Sequence, residues 1–456
     1  MTALLFFTIL AILGGLITYK TGQRDMWLML GLSFPLGFGY ITIVSFIFDL
    51  LHVPITIISG TVAILIGIAG LIFNQKDDIV NHNFNPQACL KSVVHFFKNY
   101  WGSLFIIGII AYLLLGISTK AILWPTAAYD SIEGFDFVAK VISQEHVLRN
   151  SLFDISYPLA SVRAPYPPLV PINFAYAYMA GMEYPKIISV LFIISTFFIM
   201  FGLAKDISKN LFIGLILAFI LMSTPEYLAM SALSLTNVPT ALYAGFGLIF
   251  IYRFVNTSKR TDFYLGLILL TLGMWTRTEV IIFSIVAILI LGLWSYKNKK
   301  YKETIVLTGL IFGSYIIWKL YVDLVLQAQM QQSLNFLPFY DGQKISDILN
   351  LVKFVTFSTQ YYGWVVYLFL GFGVTLLLPK NRMANVNLYI IIIITWILYV
   401  ILYYQMDNVD ANGNLIPNYI TAGYRRGFFS FLPLITYFIA SSAPIILTSE
   451  WINKKL

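Results

Sequence analysis

The sequence predicts an all-α polytopic membrane protein, with about 13 transmembrane helices and a long first outer-face loop carrying juxtamembrane helices. Three observations predict it. Of the 456 residues, 59% are hydrophobic and only 11% are charged, where soluble domains carry about 25% charged residues. Mean hydropathy is +0.81, so polar groups cannot cover the surface in water and lipid must solvate most of the chain. Apolar runs of roughly 15–23 residues recur from end to end, close to the length that crosses a hydrocarbon core.

In order, the expected spans lie near 2–19, 26–48, 53–73, 101–118, 186–204, 210–223, 238–255, 262–276, 279–296, 304–322, 361–378, 386–404 and 427–446. The first run lacks the positive flank of a signal peptide and leads straight into the second, so it is read as a true helix. Residues 1–100 are expected to form a three-helix membrane segment with a cytoplasmic linker, and 101–456 the functional module.

Lys and Arg set the orientation. Connections 20–25, 74–100, 205–209, 252–262, 297–303, 380–382 and the tail after Ser449 hold 18 of the 29 Lys and Arg and 7 of the 21 Asp and Glu. The rest of the chain holds 11 and 14. The basic set is assigned to the cytoplasm, which puts the N-terminus outside and the C-terminus inside. Residues 167–182 are apolar enough to look like a further span, but a crossing there would flip every later basic loop. With Pro165, Pro167 and Pro168 at its entry, this segment is read as re-entrant or lying in the outer leaflet. Two long connections, 119–186 and 323–361, are then outer-face loops, and loops of that length are usually functional. In the second, Ile345, Ile348, Leu349, Leu351 and Val352 are spaced as an amphipathic helix, either a lid or a structural helix resting on the bilayer.

Cys89 is the single cysteine, which excludes internal disulfides and a multi-cysteine metal site. The four histidines are scattered without metal-ligand spacing. No metal or cofactor is expected.

The first outer loop holds the densest ionisable cluster. On a continuous helix Asp130, Glu133, Asp136 and Lys140 would share one face, an arc of roughly 120°. Asp130 with Glu133 three residues on also reads as a capping box, and Asp136 with Lys140 as an i,i+4 ion pair on a solvated face. Outer-face arginines are few: Arg163, Arg277 in a tight turn, and the pair Arg425 and Arg426 heading the last span. The alternative for an arginine at a helix end is snorkelling to lipid headgroups. Glu279 is placed to pair with Arg277.

Tyr129-Asp130 at the start of an outer-face helix, followed by Tyr166-Pro167-Pro168-Leu169, resembles the GT-C class of glycosyltransferases. Protein O-mannosyltransferases, the aminoarabinose transferases of lipid A and glucosyltransferases of the N-glycan pathway belong to it. The resemblance runs from about residue 101 to the end; the first three helices lie outside it. It implies a polyprenyl-phosphate-sugar donor, a glycan, lipid or protein acceptor, and an inverting transfer on the non-cytoplasmic face. The high Ile and Lys content, with no eukaryotic retention signal, sets the expectation of a bacterial inner membrane. It places the general base on Asp130, with Glu133 beside it. Tyr129, Asp136, Lys140, Arg163, Tyr166, Asn237, Arg277, Tyr424, Arg425 and Arg426 are the expected substrate-binding residues, with Arg425 or Arg426 on the leaving phosphate. Asn237 stands where many members carry a second acid, which weakens any two-carboxylate scheme; Glu226 is the substitute nearest to hand. Membrane lipids are expected partners and nucleic acid is not. The alternatives are a flippase for lipid-linked sugar, or a polysaccharide polymerase or ligase. A transporter would concentrate charge at mid-membrane, whereas here charges gather at one surface.

Overall fold

The computed structural model describes residues 2–73, 102–128, 130–153, 164–328, 342–377, 382–405 and 417–455, and these form helices and connections with no strand among them. The order begins with α1 (Thr2–Lys20), α2 (Met26–Leu50), α3 (Ile57–Phe73) and α4 (Gly102–Leu123). At one end of the bundle come α5 (Asp136–Glu145) and α6 (Leu169–Met179). The central set is α7 (Ile187–Ser208), α8 (Leu211–Met222), the short α9 (Pro225–Met230), α10 (Asn237–Thr257), α11 (Arg260–Met274), α12 (Val280–Asn298) and α13 (Lys302–Leu320). The last set is α14 (Gly342–Thr356), α15 (Thr359–Tyr362), α16 (Val365–Val374), α17 (Arg382–Gln405), α18 (Pro417–Gly427), α19 (Leu432–Ser441) and α20 (Ala443–Lys455).

Each of the thirteen expected spans has a helix at its position, but not every one has the length of a full crossing. Among the described residues eight helices are long and apolar enough to cross a membrane, or nine if the bent stretch from Ile420 through Lys454 counts as one. The shortfall is one of length. Ile57–Phe73, Leu211–Met222 and Val365–Leu377 are apolar but short, and α11 has 15 residues. At 1.5 Å per residue the 12 residues of α8 reach only about 18 Å.

Lipid-facing character shows where α4 turns Phe105, Tyr112 and Leu115 outward, each more than half exposed. The innermost helix is α10, buried without a break from Asn237 to Phe254. Close packing at the N-terminal side rests on glycine. A side chain at Gly14 would overlap the Ser33 carbonyl, and one at Gly37 the Leu10 carbonyl, so α1 and α2 meet backbone to backbone, as small residues allow in membranes. The Tyr243 hydroxyl donates to the Pro35 carbonyl at 2.7 Å, tying α10 to α2.

The two sets of connections separate to opposite ends. At one, Lys205 pairs with Asp25 at 2.5 Å, Arg253 with Asp206 at 2.8 Å and with Asp262 at 3.3 Å, and Arg260 with Glu303 at 2.5 Å. Asn210 donates to Asn453 there at 2.7 Å, so the C-terminal helix ends on the basic side. At the other end, Asp49 accepts from the Leu148 amide at 2.6 Å and from the Tyr321 hydroxyl. Lys186, buried, donates to the Trp124 and Pro125 carbonyls that follow α4.

Helix α6 does not cross. It has 11 residues, and its two ends stay at the Asp49 end: the Leu169 amide donates to the Trp275 carbonyl at 2.9 Å and the Tyr178 hydroxyl to Asp136 at 2.7 Å. Between them Asn173 donates to the Leu169 carbonyl, Thr42 and the Phe38 carbonyl, and Tyr176 bonds Ser45. The donors of a polar stripe on an otherwise apolar helix thus find acceptors on α2 and on α6 itself, as buried polar groups away from water require.

Candidate active site

The site forms where the first outer loop meets the head of the last helices. After α4 the chain breaks at Pro125, and from Ser131 to Phe135 it coils as a π turn with Gly134 at φ −131°, ψ −114°, outside helical space. Asp130 itself is helical (φ −59°, ψ −19°) and makes no capping bond with its side chain. The capping box expected of Asp130 and Glu133 therefore does not form, because an N-cap needs an extended backbone to fold its carboxylate over the first amides. Instead Asp130 Oδ2 meets Arg426 Nη1 at 2.5 Å, with the two side chains 16% and 22% exposed. That contact closes a separation of 296 residues. Nearby, the Ser131 hydroxyl donates to the Ser234 carbonyl at 3.0 Å and anchors the turn to the loop before α10.

The neighbouring arginine is held differently. Arg425 Nε lies 2.9 Å from Glu226 Oε1, its guanidinium sits 4.9 Å from the Tyr361 ring centre, and its carbonyl accepts the Tyr362 hydroxyl at 2.7 Å. Both arginines end α18, whose sequence turns into a short 3-10 stretch, Phe428–Phe431, before α19. The break falls at Gly427, where a side chain would overlap the Tyr399 hydroxyl.

Arg277 completes the group. It bonds Glu279 at 2.7 Å and stands 5.9 Å from the ring centre of Tyr166. Glu279 also accepts from Tyr399 at 3.2 Å, and Tyr399 packs against Tyr403 and Tyr424. Burial works against the Arg277 charge, but Glu279 beside it, together with the surrounding Tyr166, Tyr399 and Tyr403, outweighs that and pushes the guanidinium further up. Tyr166 packs edge-on against Phe135 of the π turn, at 5.6 Å between ring centres. Asp130, Tyr166, Arg277, Arg425 and Arg426 are thus brought into one aromatic-walled cluster.

Other expected site residues are placed elsewhere. The shared face of Asp130, Glu133, Asp136 and Lys140 does not exist, because the π turn shifts the helical phase between the first and last of them. Asp136 is 4% exposed and accepts from Tyr178 and, at 3.2 Å, from Thr126. Its expected ion pair with Lys140 is replaced by these bonds, while Lys140 is exposed with its ammonium 5.4 Å from the Tyr178 ring centre. Burial first, then the bond to Asp136, raises Tyr178 well above the usual phenol range. Glu133 is exposed. Asn237 is buried at the first turn of α10. Tyr424 is fully buried, with its hydroxyl bonded to Thr356 and to Trp396 Nε1, each at 2.7 Å, so it buttresses the arginines and offers no face to a sugar. Tyr129 and Arg163 lie outside the described residues.

Sequence reasoning missed Tyr399 and Tyr403. Their i,i+4 spacing on α17 was a legible sign of one face, but nothing in it named Glu279 as the group they meet. It also missed an apolar groove of about 230 Å³ between α14 and α17, lined by Ile345, Ile348, Leu349, Trp396, Ile397, Val400, Ile401 and Tyr404. Leu349, Ile397 and Ile401 are each about half exposed there, and Trp396 of the groove wall donates to the hydroxyl of Tyr424, the residue before Arg425. Among the described residues no group of three or more His, Cys, Asp or Glu could hold a metal ion. A scan against protein-family models and searches of curated proteins and of solved structures found no match.

Proposed function

We propose that this protein is a membrane glycosyltransferase that moves a sugar from a polyprenyl-phosphate donor to an acceptor hydroxyl on the non-cytoplasmic face. The observation that carries the reading is the contact between Asp130 and Arg426. It sets a carboxylate able to take a proton beside a cation able to hold a leaving phosphate. In a direct displacement the acceptor oxygen attacks the anomeric carbon as its proton passes to Asp130. The bond from that carbon to the phosphate oxygen breaks, and its electron pair leaves as charge on the phosphate, which Arg426 stabilises. One carboxylate suffices, and the anomeric centre inverts. Three further features support the reading: the groove between α14 and α17 suits an isoprenoid chain, Arg277 and Tyr166 line the same cluster, and the basic residues of the opposite end fit a cytoplasmic surface.

The test is transfer from a panel of labelled polyprenyl-phosphate sugars by purified protein in liposomes. Wild type is expected to release label from the carrier to an acceptor, and Asp130→Asn to lower that rate by about 10²–10⁴-fold while still binding donor. Movement of intact lipid-linked sugar across the bilayer, with no transfer from any donor, would overturn the reading in favour of a flippase.

A further inference from the structure

We infer that Lys186 and Asp136 are positioning residues for Asp130, clamping the base of the loop that presents it to Arg426. The inference deepens the transferase reading, and its catalytic consequence rests on that reading. Thr126 donates to Asp136 Oδ2 at 3.2 Å across 10 residues, so the chain from 126 to 136 is a closed loop with Asp130 near its middle. Both ends of that loop are anchored to neighbouring helices. Tyr178 of α6 donates to the other oxygen of Asp136, Oδ1, at 2.7 Å. Lys186, the residue that opens α7, is 2% exposed. Its ammonium donates to the Trp124 carbonyl and, at 3.3 Å, to the Pro125 carbonyl, and lies 3.5 Å from the Lys120 carbonyl in the last turn of α4.

A lysine suits this place. The chain is non-helical from Trp124 to Ala128, so the carbonyls at the end of α4 gain no partner from a continuing helix. One ammonium brings three protons to them, and a helix C-terminus favours a cation. The same helix head also holds the far side of the site. Ser189, three residues on and on the same face as Lys186, donates to the Leu233 carbonyl at 2.7 Å, and the next carbonyl, that of Ser234, accepts from Ser131. The Ala128 carbonyl takes the Ser131 and Ile132 amides, each at 2.9 Å. Asp130 is therefore bracketed. Before it, Trp124 to Thr126 are fixed by Lys186 and Asp136; after it, Ser131 is fixed by a loop that α7 also holds. Both oxygens of Asp136 are committed, to Tyr178 and to Thr126, so this carboxylate serves geometry and acts on the reaction through Asp130. A misplacement of about 1 Å at a reacting group costs about 10²-fold in rate, which is what the clamp prevents.

Hydrogen exchange on the full chain in detergent tests the clamp without any turnover. In Lys186→Met and in Thr126→Val the Ser131 and Ile132 amides are expected to exchange roughly three- to tenfold faster than in wild type, the range set by one lost hydrogen bond. Sugar transfer supplies the second readout. Asp136→Ala is expected to lower kcat by about 10²-fold and to leave the donor KM near wild type. Asp136→Asn still bonds both hydroxyls, accepting from one and donating to the other, and is expected to keep most of the rate. A folded Asp136→Asn protein as inactive as Asp136→Ala overturns the positioning role, because a group acting on substrate as a carboxylate fails in both. Unchanged exchange in variants that melt like wild type overturns the clamp, and so does faster exchange with kcat intact. If Lys186→Met does not fold, Thr126→Val carries the same expectation. Faster exchange with no transfer from any donor by wild type keeps the clamp and removes the transferase reading. Transfer by wild type with exchange unchanged in the variants does the reverse.

Discussion

Gly427 carries a constraint out of proportion to its size. The Tyr399 hydroxyl occupies the space a side chain there would need, and that hydroxyl donates to Glu279, the partner of Arg277. Gly427→Ala must therefore push Tyr399 away or unwind the end of α18. The expected result is a fall in thermal stability together with loss of transfer, measured on the same preparation; a variant that keeps both would show that the turn relaxes freely. The adjacent arginines should separate by phenotype. Arg425→Ala leaves Glu226 without its cation in a mostly buried position and is expected to cost about 1–2 kcal/mol, discounted for partial exposure, read as a lower melting temperature. Arg426→Ala is expected to leave the melting temperature near wild type and to raise the KM for donor. An equal loss of stability in both would mean that Arg426 is structural too.

At the level of elements, α6 shows why an apolar run need not be a span. Its prolines and its length were legible, and so was the conflict that a crossing would create with the later basic loops. What holds it in place was not legible: Asn173 and Tyr176 reach polar atoms on α2 more than a hundred residues earlier. Asn173→Ala removes bonds that average about 0.6 kcal/mol each in membrane proteins. It is expected to lower stability by about 1–2 kcal/mol in a detergent melt, with α6 losing amide protection before its neighbours. The π turn is the opposite case. Glu133, Asp136 and Lys140 follow Asp130 at helical spacing, and nothing in SIEGF announces that Gly134 will leave helical space. Helical periodicity assumes a constant angle per residue, so the π turn put Asp136 in the interior and Asp130 against Arg426. The amphipathic segment around Ile348 and Val352, read as either a lid or a structural helix, is a helix at the anticipated position and is held through Thr356 to Tyr424.

For the whole molecule, the division of charge between two ends was readable from Lys and Arg alone, because the rule depends on side and not on contacts. The number of crossings was not, because hydropathy measures apolar length in sequence and several helices here are shorter than the bilayer core. The sidedness yields a direct experiment. In a Cys89→Ser background, cysteines placed at Glu133 and at Lys299, both exposed, are expected to react with an impermeant maleimide from opposite sides of the membrane, Glu133→Cys from outside in intact cells. Labelling of both from one side would overturn the assigned topology.

The contact between Asp130 and Arg426 joins positions 296 residues apart, and this has a meaning for how the protein is made. A ribosome delivers the first loop to the membrane early and the final helices last. Until residue 426 emerges, the contact between Asp130 and Arg426 cannot form, however well the earlier helices have packed. Packing of the last helices and closure of this contact therefore become a single late event.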